Sequence, residues 1–247
     1  MNRLKFNKGN AKLGKHIYTF SLPAGHSCPF ARECLSKAGR NGEGIQDGKH
    51  TRFRCFAASS EAQYEVVREQ RWENFKLLKG LGIDEMASLI ESSLPPKANI
   101  IRIHVSGDFF SQDYFDAWLK VCGNNPEKTF YAYTKSLRFW VKRLGNIPQN
   151  LKLNASRGGT HDSLIDDHGL KSALVVFSYD EAKEKGLKID HDDSHAYKTD
   201  DSFALLIHGT QPAGSEASKA LSALKALGWK GYSSKKKYQP EWSSPMG

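Results

Sequence analysis

No stretch of this 247-residue sequence is apolar for anything near the roughly 20 residues that a membrane-spanning helix needs. Its first residues, Met1 to Phe6, carry no apolar signal-peptide region, so the expected location is a reducing cytosol, where thiols stay free and a disulfide framework is not expected. A phosphate-binding loop ending in Lys-Ser or Lys-Thr, a Gly-x-Ser-x-Gly nucleophile elbow and a His-Glu-x-x-His pair are all missing, which sets aside three familiar chemistries. No two histidines flank a single apolar residue, so the paired-histidine metal site of rolling-circle nickases is absent as well. Nothing reads as a flexible linker. With 39% hydrophobic residues the chain can bury a full core, and one domain over residues 1–247 is the expectation.

Cysteine is scarce, but three of the four fall in one polar, helix-poor segment. Cys28 and Cys34 lie in His26-Ser27-Cys28-Pro29-Phe30-Ala31-Arg32-Glu33-Cys34, and Cys55 follows in Arg52-Phe53-Arg54-Cys55-Phe56. Thiolates are soft, strongly donating ligands, and three that converge from loops capture zinc or iron better than the surrounding carboxylates. The alternative is that they are small buried side chains, although buried cysteines usually sit in periodic apolar runs and these do not. Cys122 is the contrast: Phe115, Trp118, Leu119 and Cys122 repeat as the inner stripe of an amphipathic helix, which predicts packing rather than ligation.

Strand-like and helix-like runs alternate along the chain. Strands are expected at 16–20, 100–105, 129–134, 151–155, 173–177 and 203–207. Helices are expected between them, including a long one opened by a capping box at Ser60-Glu61-Ala62-Gln63 and running to Leu78 with Tyr64, Val67, Phe75 and Leu78 inward. Such alternation implies parallel pairing: an incomplete parallel β/α barrel of about six strands, or an open sheet, with the cysteine-bearing loop after the first strand. In these folds the working loops follow the strands' carboxyl ends. Asp108, Lys135, Asn154, Arg157, Gly158 and Gly209 all fall there. Asp108 is either a helix cap or a ligand for an amine or metal-bound water, and Lys135 and Arg157 are either exposed bases or holders of a phosphate or carboxylate. The glycines are turns, or places where amides approach an anion. The run from Asp190 to His195 has metal-compatible side chains, but its polarity suits a solvated surface loop.

The net charge of +9 makes an anionic partner plausible. Beyond about residue 229, Lys230, Lys235, Lys236 and Lys237 interleave with Trp229, Tyr232, Tyr238 and Trp242, a mixture of cations and stacking rings suited to single-stranded nucleic acid; a solvated tail folding back on the domain is the competing reading.

Ser21 to Ala31 (SLPAGHSCPFA), Cys55 to Ala57 (CFA), Arg102 to Phe110 (RIHVSGDFF) and Ala132 to Ser136 (AYTKS) resemble the phage gene 88 protein family over most of residues 15 to 160. The cysteine loop and the strand ending in Ser106-Gly107-Asp108 also look like a distant version of the radical S-adenosylmethionine barrel, although the usual C-x3-C-x2-C is replaced by wider gaps. That likeness implies a [4Fe-4S] cluster on Cys28, Cys34 and Cys55, with one iron left for S-adenosylmethionine and Asp108 near the position of the glutamate that binds the methionyl amine. It implies redox or radical chemistry in a phage protein of the host cytoplasm, with a small anionic ligand over the cluster. The other expectation is a non-enzymatic zinc protein, with His26 as fourth ligand, that binds nucleic acid during phage replication.

Overall fold

The computed structural model describes residues 3–9, 12–14 and 16–232. The chain opens with β1 (Asn7–Lys8) and β2 (Ile17–Ser21), passes through a small hairpin of β3 (Ser36–Ala38) and β4 (Ile45–Asp47), and enters three helices, α1 (Phe56–Gln63), α2 (Glu65–Leu78) and α3 (Ile83–Ser93). A regular alternation follows: β5 (Ile100–Ser106), α4 (Gln112–Asn124), β6 (Thr129–Thr134), α5 (Leu137–Val141), β7 (Leu151–Ser156), α6 (Ser163–Asp167), β8 (Ser172–Val176) and α7 (Tyr179–Glu184). The described chain finishes with β9 (Lys188–Ile189), α8 (Ser194–Lys198), β10 (Phe203–Leu206) and α9 (Glu216–Ala226).

Eight strands form one sheet in the order β1-β2-β5-β6-β7-β8-β10-β9. All neighbours are parallel except β1 and β2. The strands follow chain order from β1 to β8, as crossovers of one hand produce, and the order reverses only at the end, where β10 lies between β8 and β9. Among the described residues β1 and β9 do not pair with each other, so the sheet is not a closed barrel. The six expected strands are β2, β5, β6, β7, β8 and β10; β1 and β9, two residues each, are additions that sequence pattern is too short to reveal.

Residues alternate between the two faces of a strand. Ile101, Ile103, Phe130 and Ala132 pack with Phe115, Trp118 and Cys122 of α4 and with Met86 and Ile90 of α3 in the largest apolar core. Tyr131 and Tyr133 face the other way, toward Ile17, Ala173 and Phe203, and the Arg102 guanidinium lies 4.8 Å from the Tyr133 ring centroid. The pairing of β2 and β5 slips between Thr19 and Ser21, and opposite this slip His104 adopts a left-handed φ of 65°. Its ring packs against Phe109 and bonds the Tyr114 hydroxyl at 3.0 Å.

Three expectations need correction. The long helix breaks at Tyr64, whose extended backbone ends α1 and starts α2. Ser60 caps nothing there: its hydroxyl bonds back to Ala57 O. The inward face of α2 is Arg68, Arg71, Asn74 and Leu78, because the space beneath it holds carboxylate and carbonyl oxygens, while Tyr64 is exposed. The run from Asp190 to His195 is not a solvated loop. Asp190 and Asp193 are fully buried, and Asp193 receives Arg102 Nη1 at 2.6 Å, Lys12 Nζ at 2.6 Å and the Tyr131 hydroxyl at 3.0 Å. Burial opposes its charge, but Arg102 and Lys12 outweigh that and hold its pKa down to about 2. Finally, Trp229 and Tyr232 are buried against Ile207 and Leu224, so neither ring is a free stacking platform. Lys235, Lys236, Lys237, Tyr238 and Trp242 lie outside the described residues.

Candidate cysteine site on the strand-end rim

Residues 22–56 lie across the carboxyl ends of the strands, fastened at several points. Leu22 N bonds Ser106 O at 2.9 Å after β2 and β5. Arg32 N and Glu33 N both bond Gly158 O, and Thr160 N bonds Phe30 O, beyond β7. Gln211, after β10, takes the Arg54 N–H on Oε1 at 2.7 Å and gives its own amide to Arg54 O and His208 O. Gly107 allows the close approach: at φ 84°, a Cβ there would meet Ser27 Oγ at 2.5 Å and Leu22 Cβ at 2.7 Å.

Within this frame Cys28, Cys34 and Cys55 are half-buried free thiols, and Cys122 is buried in the apolar core. The rim sulfurs are near enough to influence one another. Desolvation raises the Cys28 pKa well above its usual value, and Asp108, Cys55 and Cys34 push the same way. Desolvation and then Cys34 push Cys55 up to about 11. Both residues keep some surface in solvent, so this desolvation reflects protein crowding of the sulfur rather than full burial of the residue. Local dipoles oppose the trend. Gly25 N–H donates to Cys28 Sγ at 3.3 Å, while Cys55 stands at the N-cap of α1, where the Ala57 and Ala58 amides favour its thiolate without closing a capping bond. Among the described residues no three His, Cys, Asp or Glu side chains are drawn together tightly enough to hold a metal ion as they stand.

Asp108 does lie beside Cys28, but its carboxylate is already used. Oδ1 accepts the Thr134 hydroxyl at 2.6 Å and Phe109 N at 2.7 Å, and Oδ2 accepts Lys135 N at 2.8 Å. Desolvation outweighs these bonds and raises its pKa to about 6. Lys135 Nζ donates to Ser156 O, Ser156 Oγ and Arg157 O at 2.7–3.0 Å, three acceptors for three protons. Arg157 pairs with the exposed Asp166 at 2.7 Å. The Gly158 and Gly159 amides do bind an anion, the chain's own Asp162 carboxylate, at 2.7 and 2.9 Å. Asn154 is buried on β7 and gives its amide to Ala132 O and Ala196 O, while Gly209, at φ 78°, packs against Phe56. The structure therefore gathers Asp108 and the three cysteines, and it spends Lys135, Arg157 and Asn154 on internal bonds. His26 is also engaged: Nε2 lies 3.2 Å from Ala38 O and its ring packs on Trp72.

Glu61 was not among the expected site residues. Fully buried on α1, its Oε1 accepts Ala24 N at 2.8 Å, Arg71 Nη1 at 2.7 Å and the Ser106 hydroxyl at 3.1 Å. Arg71 Nη1 also donates to Ala57 O. One carboxylate thus joins the stretches that carry Cys28, Cys55 and Asp108. The only signal in the sequence is an acid among small residues six positions after a cysteine.

These features define an α/β protein with a mostly parallel sheet and a thiol-bearing segment over its strand ends. The family model described as Gene product 88 matches residues 3–225, and the chain belongs to that family. The match includes the cysteine segment and every strand, further than the resemblance over residues 15 to 160 that the motifs carry. The Gene 88 protein of Mycobacterium phage L5 is 29% identical over 191 residues, covering 71% of this chain and 72% of the relative. That of Mycobacterium phage D29 is 28% identical over 189 residues, with the same coverage. No solved structure matches. Among the described residues no helix is long and apolar enough to cross a membrane.

Proposed function

We propose that this protein binds a [4Fe-4S] cluster through Cys28, Cys34 and Cys55. The observation that carries the reading is the mutual influence of three thiols fixed on one strand-end rim. Protein crowding and neighbouring negative charge disfavour the thiolates of Cys28 and Cys55, and a bound cation would stabilise that form by neutralising it. The donor set fits. Thiolates are the usual ligands of iron–sulfur clusters, each on its own iron, and an N–H donor such as Gly25 to Cys28 suits a cluster sulfur. The bond from His26 to Ala38 O likewise favours iron–sulfur over a zinc site with that imidazole as fourth ligand.

Held by three cysteines, such a cluster supplies one-electron chemistry and leaves one iron for another ligand. The sequential, mostly parallel sheet with its thiols after the first parallel strand is the arrangement expected of an incomplete β/α barrel, and S-adenosylmethionine is the small zwitterion which that likeness implies. The chain's own part is to fix the thiols, with Glu61 and Gln211 pinning the flanks of the segment and Asp108 keeping a carboxyl beside Cys28.

Anaerobic purification with iron and sulfide analysis tests the proposal. Brown protein with broad absorption near roughly 400 nm is expected. Cys34→Ser should lose the iron and Cys122→Ser should keep it; full iron in Cys34→Ser, or colourless zinc protein, overturns the assignment. Calorimetry of cluster-replete protein with S-adenosylmethionine tests the cofactor separately, and absence of binding removes it while leaving the cluster.

A further inference from the structure

A pocket with no cysteine in its lining lies between the β1–β2–β5 edge of the sheet and the first turns of α2. Its volume is about 440 Å³, within the range of small-molecule sites. Lys8, Thr19, Ser21, Gln70 and Arg71 supply a polar wall, and among the described residues no carboxylate lines it. Val66, Val67 and Val105 supply an apolar one.

Arg71 is what makes this wall more than a surface depression. Its side chain is only 9% exposed, and Nη1 alone makes both of its bonds, to Glu61 Oε1 and Ala57 O. Nε and Nη2 have no hydrogen-bond partner among the described residues. A guanidinium already held by a buried carboxylate has little freedom left to lose, and its planar fork recognises an oxyanion in two-point fashion. Lys8, exposed on β1, adds a second positive charge, and Ser21 offers a hydroxyl donor, whereas the Thr19 hydroxyl already donates to Asn7 O at 3.3 Å.

We infer that this cavity binds a small aliphatic anion, a carboxylate or a phosphate ester, with the charged head between Arg71 and Lys8 and the hydrocarbon against Val66, Val67 and Val105. The inference stands on the cavity and is independent of the cluster reading, so either can fail without the other.

The test is calorimetry and saturation-transfer NMR on the full chain, using butanoate, butyl phosphate, inorganic phosphate and butylamine as probes. Saturable binding of butanoate or butyl phosphate is expected, and the stronger of the two identifies the head group. Inorganic phosphate should bind more weakly for want of the apolar wall, and butylamine should not bind. Lys8→Glu and Gln70→Glu change partly or fully exposed side chains and place a negative charge at the cavity; each should weaken binding by about tenfold, the value of one charge-assisted contact. Unchanged circular dichroism and melting temperature would show both variants folded. Absence of saturable binding by the two aliphatic anions, equal binding of butylamine, or unchanged affinity in both folded variants overturns the inference.

Discussion

Around α4 the chain is held by apolar contact. Tyr114, Phe115, Trp118 and Cys122 are fully buried, and rings from Phe20, Phe109 and Phe130 pack edge-on among them. The segment from Leu22 to Phe56 is held by different means: backbone bonds to Ser106 and Gly158, the Gln211 carboxamide, and the Glu61 carboxylate. Apolar contact spreads stability over many small terms, so that region tolerates the loss of any single polar group. The thiol segment concentrates its order in a few polar closures, and each of these is a point of failure.

The largest effect should come from the apolar region. Trp118→Ala removes its biggest fully buried side chain and should cost about 4 kcal/mol of stability in urea titrations. Glu61→Ala strands Arg71 and the Ala24 N–H, at about 3 kcal/mol. The loss should appear first in protease cleavage within residues 22–56, and Glu61→Gln should recover part of it; uniform loss across the chain would erase the contrast between the two regions.

Acid should have a comparable effect, at about 3 kcal/mol net between pH 7 and 4.5. Burial, assisted by Arg102, holds His104 down to about 3, and burial, assisted by Lys12, holds His208 down to about 4. Below about pH 6.5 an unfolded histidine takes a proton that the fold refuses, so stability falls as pH drops. Asp108 acts in the opposite sense. Its raised pKa, about 6, means the fold keeps a proton that the unfolded chain has lost, so its contribution falls as pH rises through 4 to 6. The histidine shifts are jointly larger, so the urea midpoint should drop on acidification, and Asp108→Asn should steepen the drop. A midpoint that rises toward pH 4.5 would contradict the buried neutral imidazoles.

Cys122→Ala should cost only about 1 kcal/mol, the removal of one small group from a packed site. Val66→Ser, at a side chain 80% exposed, should move stability by less than about 0.5 kcal/mol by thermal melting.

Much of the apolar half was readable from the sequence. The stripe through Phe115, Trp118 and Cys122 and the strands beginning at Ile100, Thr129 and Leu151 stand where periodicity and β-branched runs place them. The polar half resisted for a physical reason: a buried charge looks like a surface charge until its partner is known. Asp193 meets Arg102 from 91 residues away, and Glu61 meets Ser106 from 45. Arg68, Arg71 and Asn74 form an inward face that hydrophobic periodicity assigns outward. Lys135 and Arg157 were correctly placed after their strands, but their neighbours Ser156 and Asp166 had already claimed them.

The bond between Arg54 and Gln211 spans 157 residues, and this orders events in time. Successive β/α units, each beside the last in the sheet, can dock as the chain emerges. The flank of Cys55 cannot be fastened to Gln211 until the loop after β10 exists. The thiols are among the first chemistry-bearing residues made, yet the flank of Cys55 is among the last places secured, so a chain stalled before β10 would hold Cys28 and Cys34 through Ser106 and Gly158 while the stretch before Cys55 still lacked its Gln211 tie.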